Sequence, residues 1–202
     1  MRNGLAGLLL LILILAATAV HAAPLQPDLD TPVDQVLINS KDWKDIYQGL
    51  MFAELTGAPA DFILSPGEAE DVVASLPTDK PNILLVQPED DRQHAGARKL
   101  LTDYGFNVTE LPGDGPLGIR MLDALPMDTV FVTDARYPYN AVSLTPYALQ
   151  QEGFVIFANS AEPDTITTTL REKGADVTTY GIIDATLEEA LQPFDPETIR
   201  EG

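Results

Sequence analysis

The chain has 202 residues, no cysteine, and 31 acidic against 12 basic side chains, which gives a formal net charge of −19. A field this negative repels nucleic acid and other anionic polymers, so we exclude nucleic acid as a partner. The lack of cysteine excludes disulfides and thiolate metal ligands. Packing alone must therefore hold the one large or two small domains that this length allows.

Residues 1–22 have the layout of a secretory signal peptide. Arg2 supplies a positive charge, residues 5–20 are almost wholly apolar, and Val20-His21-Ala22 offers the small or tolerated residues of a cleavage site. An apolar run of about 16 residues is shorter than the roughly 20 that cross a bilayer. We therefore expect cleavage before Ala23 and a secreted or cell-surface protein. An uncleaved N-terminal membrane anchor is the alternative.

Residues 23–34 form a leader rich in Pro and Asp, after which strand-like and helix-like segments alternate. Short apolar runs predict strands, and amphipathic segments between capping residues and Gly or Pro predict helices. Asp42 is the predicted cap of the first helix, and Gly57 its predicted stop. The first α/β unit, residues 35–110, contains predicted strands at 36–38, 61–64, 83–86 and 106–110 and helices at 43–56, 68–76 and 92–104.

Residues 111–128 are rich in Pro and Gly, which predicts a linker or long loop. If the next helix begins near Asn140, Pro146 lies in its interior and should kink it; if Thr145 is the cap, Pro146 takes the first helical position. The second α/β unit, residues 129–202, contains predicted strands at 130–133, 154–157 and 177–180 and helices at 140–151, 164–173 and 186–191.

The second unit repeats the order of the first at a spacing of 95 residues, so that residues 35–65 align with 130–160 without a gap. Strand falls on strand and helix on helix, which indicates an internal duplication. Buried apolar strands joined by crossover helices predict an α/β fold. We expect two related βαβαβ units with mainly parallel strands and helices on both faces.

Polar and aromatic residues follow the first strand of each unit. Ligands of open α/β sheets bind beyond the carboxyl ends of the strands, and flat aromatic faces beside hydrogen-bonding groups suit a sugar. Helix capping and local packing are the alternative roles of these residues. The candidate ligand- or partner-binding residues are Asn39, Asp42, Trp43, Asp45, Asp134, Tyr137, Tyr139 and Asn140.

The residue pattern predicts no metal site, no cofactor and no catalytic residue. His94 is the one histidine that remains after cleavage, and we interpret the preceding Glu89-Asp90-Asp91 as the acidic start of a helix. The glycine spacing within residues 113–118 includes a proline-rich stretch, so we interpret it as a loop and not as a dinucleotide fingerprint. Asn107, in the triplet Asn107-Val108-Thr109, is a candidate glycosylation site in an exported chain.

Two segments resemble the type 2 cell-wall-binding repeat family of bacterial wall proteins and archaeal envelope proteins. The segment VLINSKDWKDIY is similar to the archaeal branch, and VTTYG echoes the family's strand that leads into a glycine. The Gly-x-x-Arg-Tyr signature of bacterial members is absent. The segments that carry the resemblance are residues 45–53 with 59–64 in the first unit, and YNAVSLTPYA with FVIF in the second.

The resemblance implies binding to a cell wall or envelope. Bacterial members carry three modules in tandem and this chain has about two, which implies self-association or a surface-layer partner. We therefore predict a non-catalytic cell-surface module that binds a cell-wall or envelope polymer, or takes part in S-layer attachment. The alternatives are an extracytoplasmic enzyme that acts on a carbohydrate or phosphoester, which clustered carboxylates would favour, and a solute-binding protein, which a deep cleft between the halves would favour.

Overall fold

The structure is a computed structural model that describes residues 24–113, 115–158, 161 and 163–199. The predicted signal peptide and its cleavage site lie outside the described residues. Within these ranges, no helix combines the length and the apolar character needed to cross a membrane.

The first unit is a parallel sheet of four strands in the order β2-β1-β3-β4. Its longest helix begins at the predicted cap, where the Asp42 carboxylate accepts a hydrogen bond from the Lys44 amide at 2.9 Å. The helix ends at Gly57, which takes a left-handed φ of 67°. The elements in chain order are β1 (Gln35–Ile38), α1 (Trp43–Thr56), β2 (Ala60–Phe62), α2 (Ala69–Ser75), β3 (Asn82–Val86), α3 (Ala97–Asp103) and β4 (Asn107–Glu110).

The second unit is a parallel sheet of the same form, in the order β6-β5-β7-β8. A helix, α4 (Leu117–Ala124), joins the two units. The predicted α/β class with two related parallel units is confirmed. The elements of the second unit are β5 (Thr129–Thr133), α5 (Pro138–Gln150), β6 (Phe154–Phe157), α6 (Pro163–Lys173), β7 (Asp176–Tyr180), α7 (Ala185–Leu191), a short 3₁₀ turn (Gln192–Phe194) and β8 (Glu197–Ile199).

Strand pairing in the two sheets follows the same register. Val36 pairs with Ala60 in the first sheet, and Phe131 pairs with Val155 in the second, each residue 95 positions later. The helices α1 and α5 also begin 95 residues apart. Shared strand order and shared register are what a duplicated unit would retain, so the structure supports the internal duplication.

Three local predictions differ from the structure. Residues 111–128 hold the helix α4, since the prolines that suggested a loop lie outside it, Pro112 and Pro116 before its first residue and Pro126 after its last. The helix predicted at 92–104 begins only at Ala97, so Glu89-Asp90-Asp91 and His94 lie in a loop and not at a helix start. Pro146 lies inside α5, which excludes Thr145 as the cap. The second sheet also gains a fourth strand, β8, which was too short and polar to be predicted.

Two hydrophobic cores stabilise the fold. The smaller core packs α2 and α3 on one face of the first sheet, through residues such as Leu37 and Leu85. The larger core contains the side chains on the opposite face of the same strands, such as Val36 and Ile38. It continues through α1 and α4 into the second sheet. Side chains of successive strand residues point to opposite faces, so the first sheet is covered on both. One continuous core therefore joins the two units.

Candidate binding cleft

Each sheet has one point at which the chain reverses its direction of strand addition. In the first sheet it lies between β1 and β3, and in the second between β5 and β7. Crossover helices leave a crevice at such points, beyond the carboxyl ends of the two central strands, and ligands of open α/β sheets bind there. The two crevices are related by the duplication, but their contents differ.

The base of the first crevice, at Asn39, is closed by the protein's own polar groups. Asn39 follows β1 and is fully buried. Its Nδ2 donates to Gln87 Oε1 and to the His94 carbonyl, both at 2.9 Å, and its Oδ1 accepts from the His94 amide at 2.8 Å. Both ends of the Asn39 amide are thus satisfied by the β3–α3 loop. This residue stabilises the loop and leaves no group for a ligand.

The second crevice is an open cleft of about 560 Å³. The first turn of α5 forms one wall, and the ends of β7 and β8 with the start of α7 form the other. The residues that line it are Tyr137, Tyr139, Asn140, Thr179, Gly181, Ile182, Ile183, Glu188 and Thr198.

Aromatic and apolar side chains lie at the rim of this cleft. The rings of Tyr137 and Tyr139 meet edge to face with centroids 6.0 Å apart. Tyr139 is 57% exposed, and Ile182 on the opposite wall is more exposed still. Such faces can stack on the apolar side of a sugar ring.

Polar groups lie deeper in the cleft. Asn140 is only 2% exposed, and its Oδ1 has no hydrogen-bond partner among the described residues. The hydroxyls of Thr179 and Thr198 lie 3.0 Å from each other. Buried polar atoms are nearly always paired, so the unpaired carbonyl of Asn140 marks a place where a ligand can supply the missing donor.

The electrostatics of the cleft are acidic. Glu188 lines it, and no Lys, Arg or His is found among its described lining residues. Arg136, in the loop before α5, is already paired, because its Nε donates to the buried Asp134 carboxylate at 2.8 Å. Burial alone would raise the pKa of Asp134, but the hydrogen bonds and charge of Arg136 outweigh it and hold that pKa below its usual value.

The structure brings together only part of the predicted set. Tyr137, Tyr139 and Asn140 lie in the cleft of the second unit. Asp134 lies beside it as the partner of Arg136, and Asn39 belongs to the closed base of the first crevice.

Trp43, Asp42 and Asp45 lie at the start of α1, away from the open cleft. The Trp43 ring packs edge-on against Phe157 of the second unit, with centroids 5.1 Å apart. Asp42 caps the helix and pairs with Lys44 at 3.0 Å. Asp45 accepts a hydrogen bond from Ser40 at 2.6 Å, and burial raises its pKa despite that bond. These three residues have packing and capping roles.

A smaller cleft of about 300 Å³ lies beside Asp42 and Asp45, between the start of α1, residues Pro88 and Glu89 after β3, and the start of α4, and it is the first unit's counterpart of the open cleft. Both carboxylates are engaged in the local bonds just described. Among the described residues, no group of three or more His, Asp or Glu side chains is placed to hold a metal ion. Asp42 and Asp45 make these bonds at the start of α1, and their binding role stays a prediction.

Asn107, the candidate glycosylation site, is exposed at the first position of the edge strand β4. Its side-chain Nδ2 donates to Asn82 Oδ1 at 3.1 Å. The structure thus places the triplet at the surface, and glycosylation stays a prediction.

Sequence reasoning missed six of the nine described lining residues, namely Thr179, Gly181, Ile182, Ile183, Glu188 and Thr198 of the unpredicted β8. The available signal was the duplication itself, because the end of β7 corresponds to the end of β3. Gly181 directly follows β7, at the position where the first unit has Gln87, and this difference in sequence indicates that the two crevices differ.

Comparison with protein-family models finds no family that matches the chain, and comparison with curated proteins finds no similar protein. The resemblance to cell-wall-binding repeats therefore stays a prediction.

Proposed function

We propose that this protein is a non-catalytic cell-surface module that binds a carbohydrate polymer of the cell wall or envelope. The observation that carries the proposal is the open cleft of the second unit, which is lined by two tyrosine rings and by the buried amide of Asn140. Aromatic faces with a few placed hydrogen-bonding groups are the usual composition of a sugar site.

Two further observations support an extracytoplasmic role for this binding. Residues 1–22 predict export, and the strand, turn and helix segments resemble cell-wall-binding repeats. A surface-layer protein, or a second copy of the chain, remains the proposed additional partner. The net charge of −19 opposes binding to acidic polymers unless salt or divalent cations screen it.

Co-sedimentation of the mature protein with purified envelopes tests the proposal. Tyr139→Ala removes an exposed ring from the cleft, and Tyr104→Ala removes an exposed ring from the first unit as a matched control. We expect the wild type and Tyr104→Ala to sediment, and Tyr139→Ala to sediment much less. The assay is run at low and high salt, so that charge repulsion does not conceal binding.

Two outcomes would contradict the proposal. One is the absence of sedimentation under every ionic condition. The other is release of product from an envelope glycan or a phosphoester by the pure protein, which would indicate the enzymatic alternative.

A further inference from the structure

The duplicated crevices differ at one corresponding position. Ile38 pairs with Val86 in the first sheet and Thr133 pairs with Tyr180 in the second, so the next residues, Gln87 and Gly181, occupy equivalent places. The Gln87 side chain bonds to Asn39 and helps to close the base of the first crevice. Gly181 has no side chain, and the second crevice is open.

The loops that follow these two residues also differ in length. Ten residues separate β3 from α3, and the amide and carbonyl of His94 in this loop satisfy Asn39. Only four residues separate β7 from α7. The first unit therefore fills the base of its crevice, at Asn39, with its own donors and acceptors, whereas the four-residue loop after β7 is too short to do the same.

Gly181 also leaves the space that the Asn140 side chain occupies. It has a φ of 73°, and a Cβ built there would overlap Asn140 Nδ2. A side chain at 181 would be strained and would displace the amide. The glycine thus keeps the amide at the base of the cleft, where its Oδ1 has no partner in the described part of the chain.

The groups in the cleft define the chemistry of a ligand. A primary amide presents an acceptor and two donors side by side, and two neighbouring hydroxyls match it, one donating to Oδ1 and the other accepting from Nδ2. Glu188 can accept a further hydroxyl hydrogen bond, and no basic residue among the described lining can neutralise an anion.

We propose that this cleft binds one uncharged saccharide unit through a pair of adjacent hydroxyl groups, with Asn140 as the residue that determines specificity. This inference rests on the proposed function and names its ligand class. It assigns the site to the second unit, because the corresponding smaller cleft of the first unit has Asp42, Asp45 and Glu89 where the second unit has Tyr137, Asn140 and Ile183.

Saturation-transfer NMR with free sugars tests this site apart from the envelope. The probes are the methyl glycosides of glucose, galactose and mannose, with glucuronate as the anionic comparison. We expect at least one neutral glycoside to bind, glucuronate to bind more weakly, and Asn140→Ala to raise Kd about tenfold or more. Asn107→Ala, an exposed asparagine in the first unit, is the matched control and should bind as the wild type does.

The outcomes separate this inference from the proposed function. If envelopes sediment the wild type but no neutral glycoside binds or competes, the ligand class is wrong while envelope binding stands. Preferential binding of glucuronate, or equal Kd values for wild type and Asn140→Ala, would also overturn it. Should Asn140→Ala not fold, Tyr139→Ala changes only an exposed ring of the cleft, and unchanged glycoside binding by that variant would contradict the site.

Discussion

Gln48 provides the sharpest test of how the two units hold together. It lies on α1 of the first unit, is 1% exposed, and donates from Nε2 to the Val155 carbonyl of the second unit at 2.9 Å. Val155 belongs to β6, an edge strand of its sheet. Gly118 of α4 packs against the same amide, since a Cβ there would overlap it.

The substitution Gln48→Met keeps an unbranched side chain of similar length and removes the donor. The cavity contribution is therefore small, and the main cost is the buried Val155 carbonyl that loses its partner. Such a loss destabilises a protein by about 1–3 kcal/mol. For a chain of this size each kcal/mol lowers Tm by about 2–4 °C, so we expect a decrease of about 2–12 °C.

Urea unfolding of the mature protein measures this change with two probes. Circular dichroism follows both units, and fluorescence of Trp43, the chain's one tryptophan, follows its contact with Phe157 across the units. Because one core joins the units, both probes should report a single transition in the wild type. Gln150→Met, at an exposed position on α5, is the matched control. Equal free energies of unfolding for Gln48→Met and Gln150→Met would refute the reasoning.

Three further predictions concern other contacts. Arg136→Gln should destabilise the protein at pH 7, and less so as the pH falls below about 4, because Asp134 has a lowered pKa and its stabilising charge is lost on protonation. Urea unfolding at pH 7 and below pH 4 checks this, and an equal loss in the free energy of unfolding at the two pH values would contradict it. Tyr47→Phe should lower the free energy of unfolding by about 1 kcal/mol, because it removes the hydroxyl that donates to the Ala141 carbonyl at 3.0 Å. Thermal unfolding would detect this loss, and an unchanged Tm would contradict it. Mass spectrometry of the native protein should find a start near Ala23, and a mature cytosolic form that begins at Met1 would exclude export.

Most elements could be predicted from local patterns. The Asp42 cap, the Gly57 stop and the apolar strands are signals that act within a few residues, and the structure has α1 and β1 where those signals placed them. The helix α4 was missed because Pro and Gly usually break helices. Its proline precedes the first turn, and Gly118 is accommodated inside it against Gln48, a residue 70 positions earlier.

The candidate residues show the same division. Local sequence indicated that polar and aromatic groups follow the first strand of each unit, and three of them, Tyr137, Tyr139 and Asn140, line the open cleft. It did not indicate that Trp43 packs on Phe157, since that contact joins residues far apart in the chain.

The sequence by itself determined the α/β class, the parallel strands and the two-fold repetition, because these follow from periodicity and capping within short segments. Only the tertiary structure decided how the two related crevices differ. Asn39 is closed off by Gln87 and His94, which lie 48 and 55 positions away along the chain. At the equivalent place Gly181 leaves Asn140 without a partner for its Oδ1 among the described residues. Hydrogen bonds of this kind depend on strands that meet only when the sheet has formed.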